Sequence, residues 1–182
     1  MKKHVILVAG FMRSGKDTLA DTLINNSKDN FTGKISLAEP IKTLIAGVEK
    51  ILGITIGKHR RLLQWVGTQW GRAYDEDIWL SILLKTIINS SYTTVVVPDV
   101  RFESEWQIHN DNFTVTRVLL ECKRSLREAR GADLSTSSHE SEQLPFIIKK
   151  SMKNFGYLYS PHIVLCNNNS ILDFQKKVLE IF

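Results

Sequence analysis

Short, nearly uninterrupted apolar runs alternate along this chain with longer stretches in which apolar residues recur every three or four positions. The runs at 5–9, 34–37, 94–97, 115–120 and 163–165 are brief and rich in Val, Ile and Leu, which predicts five strands. The longer patterns at 15–26, 40–52, 60–70, 76–90, 103–110, 142–154 and 171–181 predict helices. Alternation of this kind implies an α/β fold of three layers, a central parallel five-stranded sheet with helices on both faces. Ligands are then expected beyond the carboxyl ends of the strands. One long polar stretch, GADLSTSSHES at 131–141, follows Arg130. A loop of that length inside a compact domain is expected to be a functional lid or to be disordered.

The 182 residues suit one domain, and 43% hydrophobic with 24% charged residues is the balance of a soluble globular protein. No apolar run approaches the ~20 residues that span a bilayer. Met1, Lys2 and Lys3 lead straight into the first strand, so no signal peptide is expected and the cytoplasm is the expected compartment. Cys122 and Cys166 both end apolar runs and read as small core residues rather than a disulfide. A net charge of +5 suits an anionic partner, either nucleotide phosphates or nucleic acid.

Between the first strand and the first helix stands GFMRSGKDT, positions 10–18. Gly10 and Gly15 let the backbone curl so that the N–H groups of Met12, Arg13, Ser14 and their neighbours converge on one anion. The following helix adds the positive end of its dipole, and Lys16 reaches the terminal phosphates. This is the P-loop pattern G-x-x-x-x-G-K-[ST] with one departure. Asp17 stands where the Mg²⁺-binding hydroxyl falls, and the hydroxyl follows at Thr18. A nucleoside triphosphate is the ligand it implies.

Further along, VVVPDVR at 95–101 places Asp99 at the carboxyl end of a buried strand, where P-loop enzymes hold Mg²⁺, with Arg101 in reach of a phosphate. Asp99 also suits the cap of a helix beginning near Phe102. In KHRRLLQWVGTQWGR at 58–72, helical spacing puts Arg61, Gln64 and Thr68 on one face, with Leu62, Leu63 and Val66 inward. Trp65 and Trp70 alternate with Leu and Val as core residues do. Arg124, Arg127 and Arg130 recur at three-residue intervals into the polar loop, either around an anion or as a solvated helix edge balanced by Glu121 and Glu128. HESE at 139–142 reads as a helix entry capped by Ser141, not as a metal site.

Together these pieces resemble the phage-type deoxynucleoside monophosphate kinases, in the adenylate kinase-like branch of P-loop proteins. The match is carried by GFMRSGKDT, SLAEPIK at 36–42, RRLLQWVGT at 60–68, VPDVR at 97–101, HESEQLP at 139–145 and HIVLCNNNS at 162–170. It covers nearly the whole chain, which has little between Ile56 and Lys58 where larger members carry an insertion. The resemblance implies ATP-dependent phosphorylation of a deoxynucleoside 5′-monophosphate, with the backbone of residues 12–18 and Lys16 on the β- and γ-phosphates. Mg²⁺ would sit near Asp17, Thr18 and Asp99. Arg13, Arg101, Arg124, Arg127 and Arg130 are the cations for transition-state charge, with a lid at about 124–141. Ala38, Lys42, Arg61, Gln64, Thr68, Arg72 and Arg101 would line the monophosphate site, and Asn167 and Asn168 would pack near adenine. No nucleic acid or membrane is expected as a partner, and monomer or homodimer stays open. A kinase of another phosphorylated metabolite and a non-enzymatic nucleotide- or nucleic-acid-binding P-loop protein remain as rival readings. The Asn-Lys-x-Asp base-reading motif of a GTPase is missing.

Overall fold

Five strands, β1 (Lys3–Gly10), β2 (Thr32–Lys34), β3 (Thr94–Val97), β4 (Phe113–Glu121) and β5 (Ile163–Cys166), form one parallel sheet in the order β2-β3-β1-β4-β5. The computed structural model describes residues 2–27, 31–55, 60–132, 139–153 and 159–182. Strand β1 lies between β3 and β4, so it has neighbours on both edges and helices on both faces. That is why Val5, Leu7, Val8 and Ala9 are wholly buried and why its sequence is continuously apolar instead of alternating. The expected three-layer α/β fold is the one observed.

The helices in chain order are α1 (Lys16–Asn25), α2 (Glu39–Leu52), α3 (Arg60–Gln64), α4 (Gly71–Tyr74), α5 (Ile78–Asn89), α6 (Glu103–Trp106), α7 (Arg124–Ala129), α8 (Leu144–Lys153) and α9 (Ile171–Ile181). By packing, the chain divides into two compact units, Met1–Lys34 with Ser91–Phe182, and Ile35–Ser90. In the first, α1 and α9 pack together over one sheet face. Leu19, Ala20, Phe174 and Val178 meet Ile6, Val8, Val96, Val118, Leu120 and Leu165 there. Each fully buried Leu, Ile or Phe in such a cluster contributes roughly 1.5–3 kcal/mol. Helix α8 packs on β1 through residues outside that cluster, with Leu144 and Ile148 buried.

Where elements depart from the expected bounds, a specific contact is responsible. The predicted strand at 34–37 is displaced to Thr32–Lys34. Gly33 admits the Tyr92 ring so closely that a Cβ there would lie 2.4 Å from it, and Ser36 Oγ already accepts from the Ala38 N–H to start α2. Helix α6 stops at Trp106 instead of reaching 110. The Arg117 side chain from β4 donates Nε to the Trp106 carbonyl (2.6 Å) and Nη2 to that of Ile108 (3.1 Å), taking acceptors a longer helix would use. Cys166, expected in the core, is exposed, because it ends the edge strand β5; Cys122 is half-buried, and both are free thiols. The partial desolvation its thiol retains, then the nearby Glu121 carboxylate, raises the pKa of Cys166.

In the second unit, α3 runs into a π-helical segment, Trp65–Trp70, before α4. The cause is Trp79, whose indole Nε1 donates to the Gly67 carbonyl (2.7 Å, buried) while the Gly71 N–H reaches back to Val66. A Cβ at Gly71 would lie 2.4 Å from the Trp79 ring, so the indole can sit there only over glycine. Thr68 therefore leaves the α-helical spacing that aligned it with Arg61 and Gln64. Trp65 and Trp70, read as core, are 53% and 49% exposed; the buried tryptophans are Trp79 and Trp106. Among the described residues no helix is long and apolar enough to cross a membrane.

Candidate active site

The loop after β1 adopts a conformation that few sequences tolerate. Arg13 has φ 62° and Gly15 φ 102°, both left-handed, and the Ser14 N–H closes a turn onto the Phe11 carbonyl (3.1 Å). Helix α1 follows at once, with Gly15 as its N-cap and no side chain capping it. Its first N–H groups thus face into the loop, the arrangement that binds an anion. Glycine is required at both ends by space, and at Gly15 also by φ. A Cβ on Gly10 would lie 2.7 Å from the Leu120 carbonyl oxygen and 2.8 Å from Ser14 Oγ, and one on Gly15 would lie 2.3 Å from Asn167 Nδ2.

Lys16 folds back over this cradle, donating Nζ to the carbonyls of Gly10 (2.6 Å) and Phe11 (2.9 Å). Enclosure of the ammonium, and then the nearby Arg101 charge, lower its pKa to about 8 against the opposing charges of Glu142, Asp17 and Asp99. A lysine so placed gains most from an arriving anion.

Beside the loop is a cavity of about 470 Å³ lined by Arg13, Gly15, Lys16, Asp17, Thr18, Arg130, Asn167, Ile171 and Phe174. It combines cations, an amide and the apolar Ile171 and Phe174, the mix of polar and apolar lining usual for a small-molecule site. The residues fit MgATP. Asp17 borders the cavity, but its carboxylate is 84% exposed and lies 3.9 Å from Lys34 Nζ, which bonds Asp21 at 2.7 Å. Thr18, in the first turn of α1, borders it too. Asp99 follows β3, the strand beside β1, and its charge is felt at Lys16. It does not occupy the cap of α6, which falls at Phe102; the Glu105 carboxylate accepts from the Arg101 and Phe102 N–H groups instead.

The two arginines of α7 and Arg130, which caps its C-terminus, part company. Arg124 points outward and pairs with Glu128 (3.0 Å), the solvated-edge alternative. Arg127 lies over the Phe11 ring at 4.6 Å, and Phe11 packs edge-on to Phe146. Only Arg130 reaches the cavity, held by Cys122 Sγ (3.3 Å) and the Asn167 carbonyl. Asn167 is buried and donates Nδ2 to the Ser14 carbonyl (2.8 Å), which clamps the glycine loop from the β5 side. Asn168 turns to the other loop and accepts from the Lys123 N–H.

Helix entry near 139 is observed, but with His139 as the cap, accepting from the Ser141 N–H, and with Ser141 itself buried. The sequence reading missed Glu142, a buried acid paired with Arg101. Of the expected lid, residues 133–138 lie outside the described residues, as do Lys58, His59 and Asn154. Ala38, Lys42, Arg61, Gln64, Thr68 and Arg72 belong to the 35–90 unit. There Lys42 pairs with Glu39 (3.2 Å), Arg72 Nη1 donates to the Glu76 carbonyl (2.6 Å), Arg61 is exposed and Gln64 half-buried.

No protein-family model matches this sequence, and no curated protein matches it in sequence. Its fold is shared with solved structures. TT1252 from Thermus thermophilus superposes with a TM-score of 0.55 at 15% identity over 100% of this chain and 96% of that one. A thymidylate kinase from Candida albicans gives 0.54 at 15% identity, covering 99% and 91%. Shikimate kinase from Aquifex aeolicus gives 0.51 at 18% identity, covering 97% and 94%. At these identities the likeness is one of fold: the chain shares the α/β three-layer fold of these structures.

Proposed function

We propose that this chain transfers the terminal phosphoryl group of ATP to the phosphate of a deoxynucleoside 5′-monophosphate, releasing ADP and a deoxynucleoside diphosphate. The observation that carries this reading is the glycine loop with its left-handed Arg13 and Gly15, Lys16 folded over it, and Arg101 and Arg130 beside it. Such a cluster of cations and oriented N–H groups suits a polyanion whose charge shifts during reaction. In the transfer, the bond from the γ-phosphorus to the bridging oxygen breaks as an acceptor phosphate oxygen bonds to that phosphorus. The acceptor oxygen is already anionic, so alignment and charge neutralisation are what this protein has to supply.

Lys16 and the N–H groups of residues 12–18 hold the β- and γ-phosphates, and Arg130 lies along the cavity whose Ile171 and Phe174 suit the adenine. Arg13 and Arg101 face the charge of the transferred group. Thr18, Asp17 and Asp99 would hold Mg²⁺, which when bound would neutralise phosphate charge. The residues of the 35–90 unit are the candidates for the monophosphate.

A coupled ADP-release assay across the four deoxynucleoside monophosphates, with shikimate and other small acceptors alongside, tests the reading. Turnover on a deoxynucleotide supports it; turnover only on another acceptor assigns the fold to that substrate instead. Replacing Asp99 by Asn removes the charge and keeps the size. If Asp99 organises Mg²⁺, the variant requires markedly more Mg²⁺ for half-maximal rate, and an unchanged Mg²⁺ titration removes that role.

The lowered pKa of Lys16 gives a pH dependence with a definite sign. In the empty site the ammonium loses its proton near pH 8, below its ordinary value, and a bound polyphosphate favours the charged form. kcat/KM for ATP is therefore expected to fall as pH rises through about 8. Folding disfavours this charge, so the same group adds stability as pH climbs from about 8 toward its unfolded value. A Lys16→Arg variant should lose the bend; a bend that persists belongs to another group.

A further inference from the structure

Arg101 is fixed twice over, and by different acids. Its main chain is held by Glu105, 2% exposed, whose carboxylate accepts from the N–H of Arg101 (2.7 Å) and of Phe102 (3.0 Å). Its side chain is held through Nη1 alone, which donates to the Glu142 carboxylate and to the Ser141 carbonyl (3.3 Å). We propose that Glu142 is a positioning residue, which sets the Arg101 guanidinium at the carboxyl end of β3 so that its free Nε–Nη2 edge meets a phosphate. The inference rests on the kinase reading above and deepens it, since it names how the acceptor phosphate is met.

The chemistry of the pair supports this role. A guanidinium presents five N–H donors in a rigid plane, and one edge accepts a bidentate oxyanion. Among the described residues only Nη1 is engaged, which leaves that edge available. The Arg101 side chain is 37% exposed, whereas that of Glu142 is 8% exposed, so the acid is the anchored member and the arginine the one facing solvent. A carboxylate is costly to bury, and pairing recovers that cost without much surplus, so net stability alone is a weak reason for this one to be there. Its segment is independently fixed, because His139 caps the turn at Glu140–Glu142 and Leu144 starts α8 in the core. The charges of Arg101 and Glu142 are both felt at Lys16, which puts the pair beside the phosphate cradle.

The test is a double-mutant cycle on the full chain, with Arg101→Ala, Glu142→Ala, their combination and Glu142→Gln. Inorganic pyrophosphate binding is measured by calorimetry, kcat and KM for each deoxynucleoside monophosphate are measured separately, and melting curves establish that every variant is folded. Arg101→Ala and Glu142→Ala are each expected to weaken pyrophosphate binding about tenfold. The double variant should lose no more than Arg101→Ala alone, because Glu142 acts through Arg101. Glu142→Gln keeps an acceptor oxygen for Nη1 and should recover most of the loss. Losses that multiply in the double variant, wild-type binding in Glu142→Ala, or tighter binding in both Glu142 variants would each overturn the proposal. Coupled losses of pyrophosphate binding in a protein that turns over no acceptor would remove the kinase reading and leave the Glu142–Arg101 relation standing.

Discussion

Replacing Lys16 with alanine is expected to lower kcat by about 100-fold or more while leaving the fold intact. The ammonium is the cation that folds back over the loop's N–H groups, and it already sits against the Gly10 and Phe11 carbonyls. Those two bonds are the local price of the empty site, so the variant loses little stability. Removing a cation whose burial is costly even relieves part of that cost. Phosphoryl charge in the transition state then lacks its closest preorganised partner, and water is a poor substitute because it must reorient. Turnover near that of the wild type, at saturating nucleotide, would show that the loop binds phosphate without taking part in its transfer.

Gly15→Ala is expected to destabilise the protein by roughly 2–6 kcal/mol and to abolish nucleotide binding. Two costs of different origin add. The left-handed φ of 102° strains any residue with a Cβ, by about 1–3 kcal/mol. The new Cβ would also lie 2.3 Å from Asn167 Nδ2, and forcing that amide away breaks its bond to the Ser14 carbonyl. A buried donor and acceptor left unpaired cost a further 1–3 kcal/mol or about that. Gly53→Ala separates the two contributions. Gly53 is also left-handed, at φ 64°, but nothing lies within 4 Å of its Cβ position, so it carries the strain alone. Urea unfolding of both variants measures the difference. Equal losses at the two glycines would mean that Asn167 does not clamp the loop.

Much of this arrangement was legible along the chain, for reasons that differ from element to element. The strands at 5–9 and 94–97 were recognisable because parallel strands buried on both faces must be almost wholly apolar, and no surface helix can be. The loop at 10–18 was recognisable because left-handed turns and close backbone approach restrict two positions to glycine. The strand at Thr32–Lys34 was not, since its place depends on Tyr92 packing on Gly33 from 59 residues away along the chain. Nor was the end of α6, which Arg117 sets from β4.

Within the site, the same division holds. Lys16 and Thr18 could be singled out from local spacing, because strand, loop and helix fix their direction over a few residues; Asn167 came only from the family resemblance. Which arginine of 124, 127 and 130 faces the cavity could not, because equal spacing on a short helix leaves the facing to its partners. Glu128, Phe11 and Cys122 made that choice, and each comes from a packing or charge contact. Glu142 was hidden for the same reason: a glutamate in a polar stretch looks solvated until Arg101 is brought to it from 41 positions upstream. The sequence by itself determined the layers, the parallel sheet and the anion loop, since these follow from periodicity and from backbone sterics. Only the tertiary structure decided which charges converge there, because an ion pair or a clamp exists once two distant segments meet and leaves no periodic trace in either.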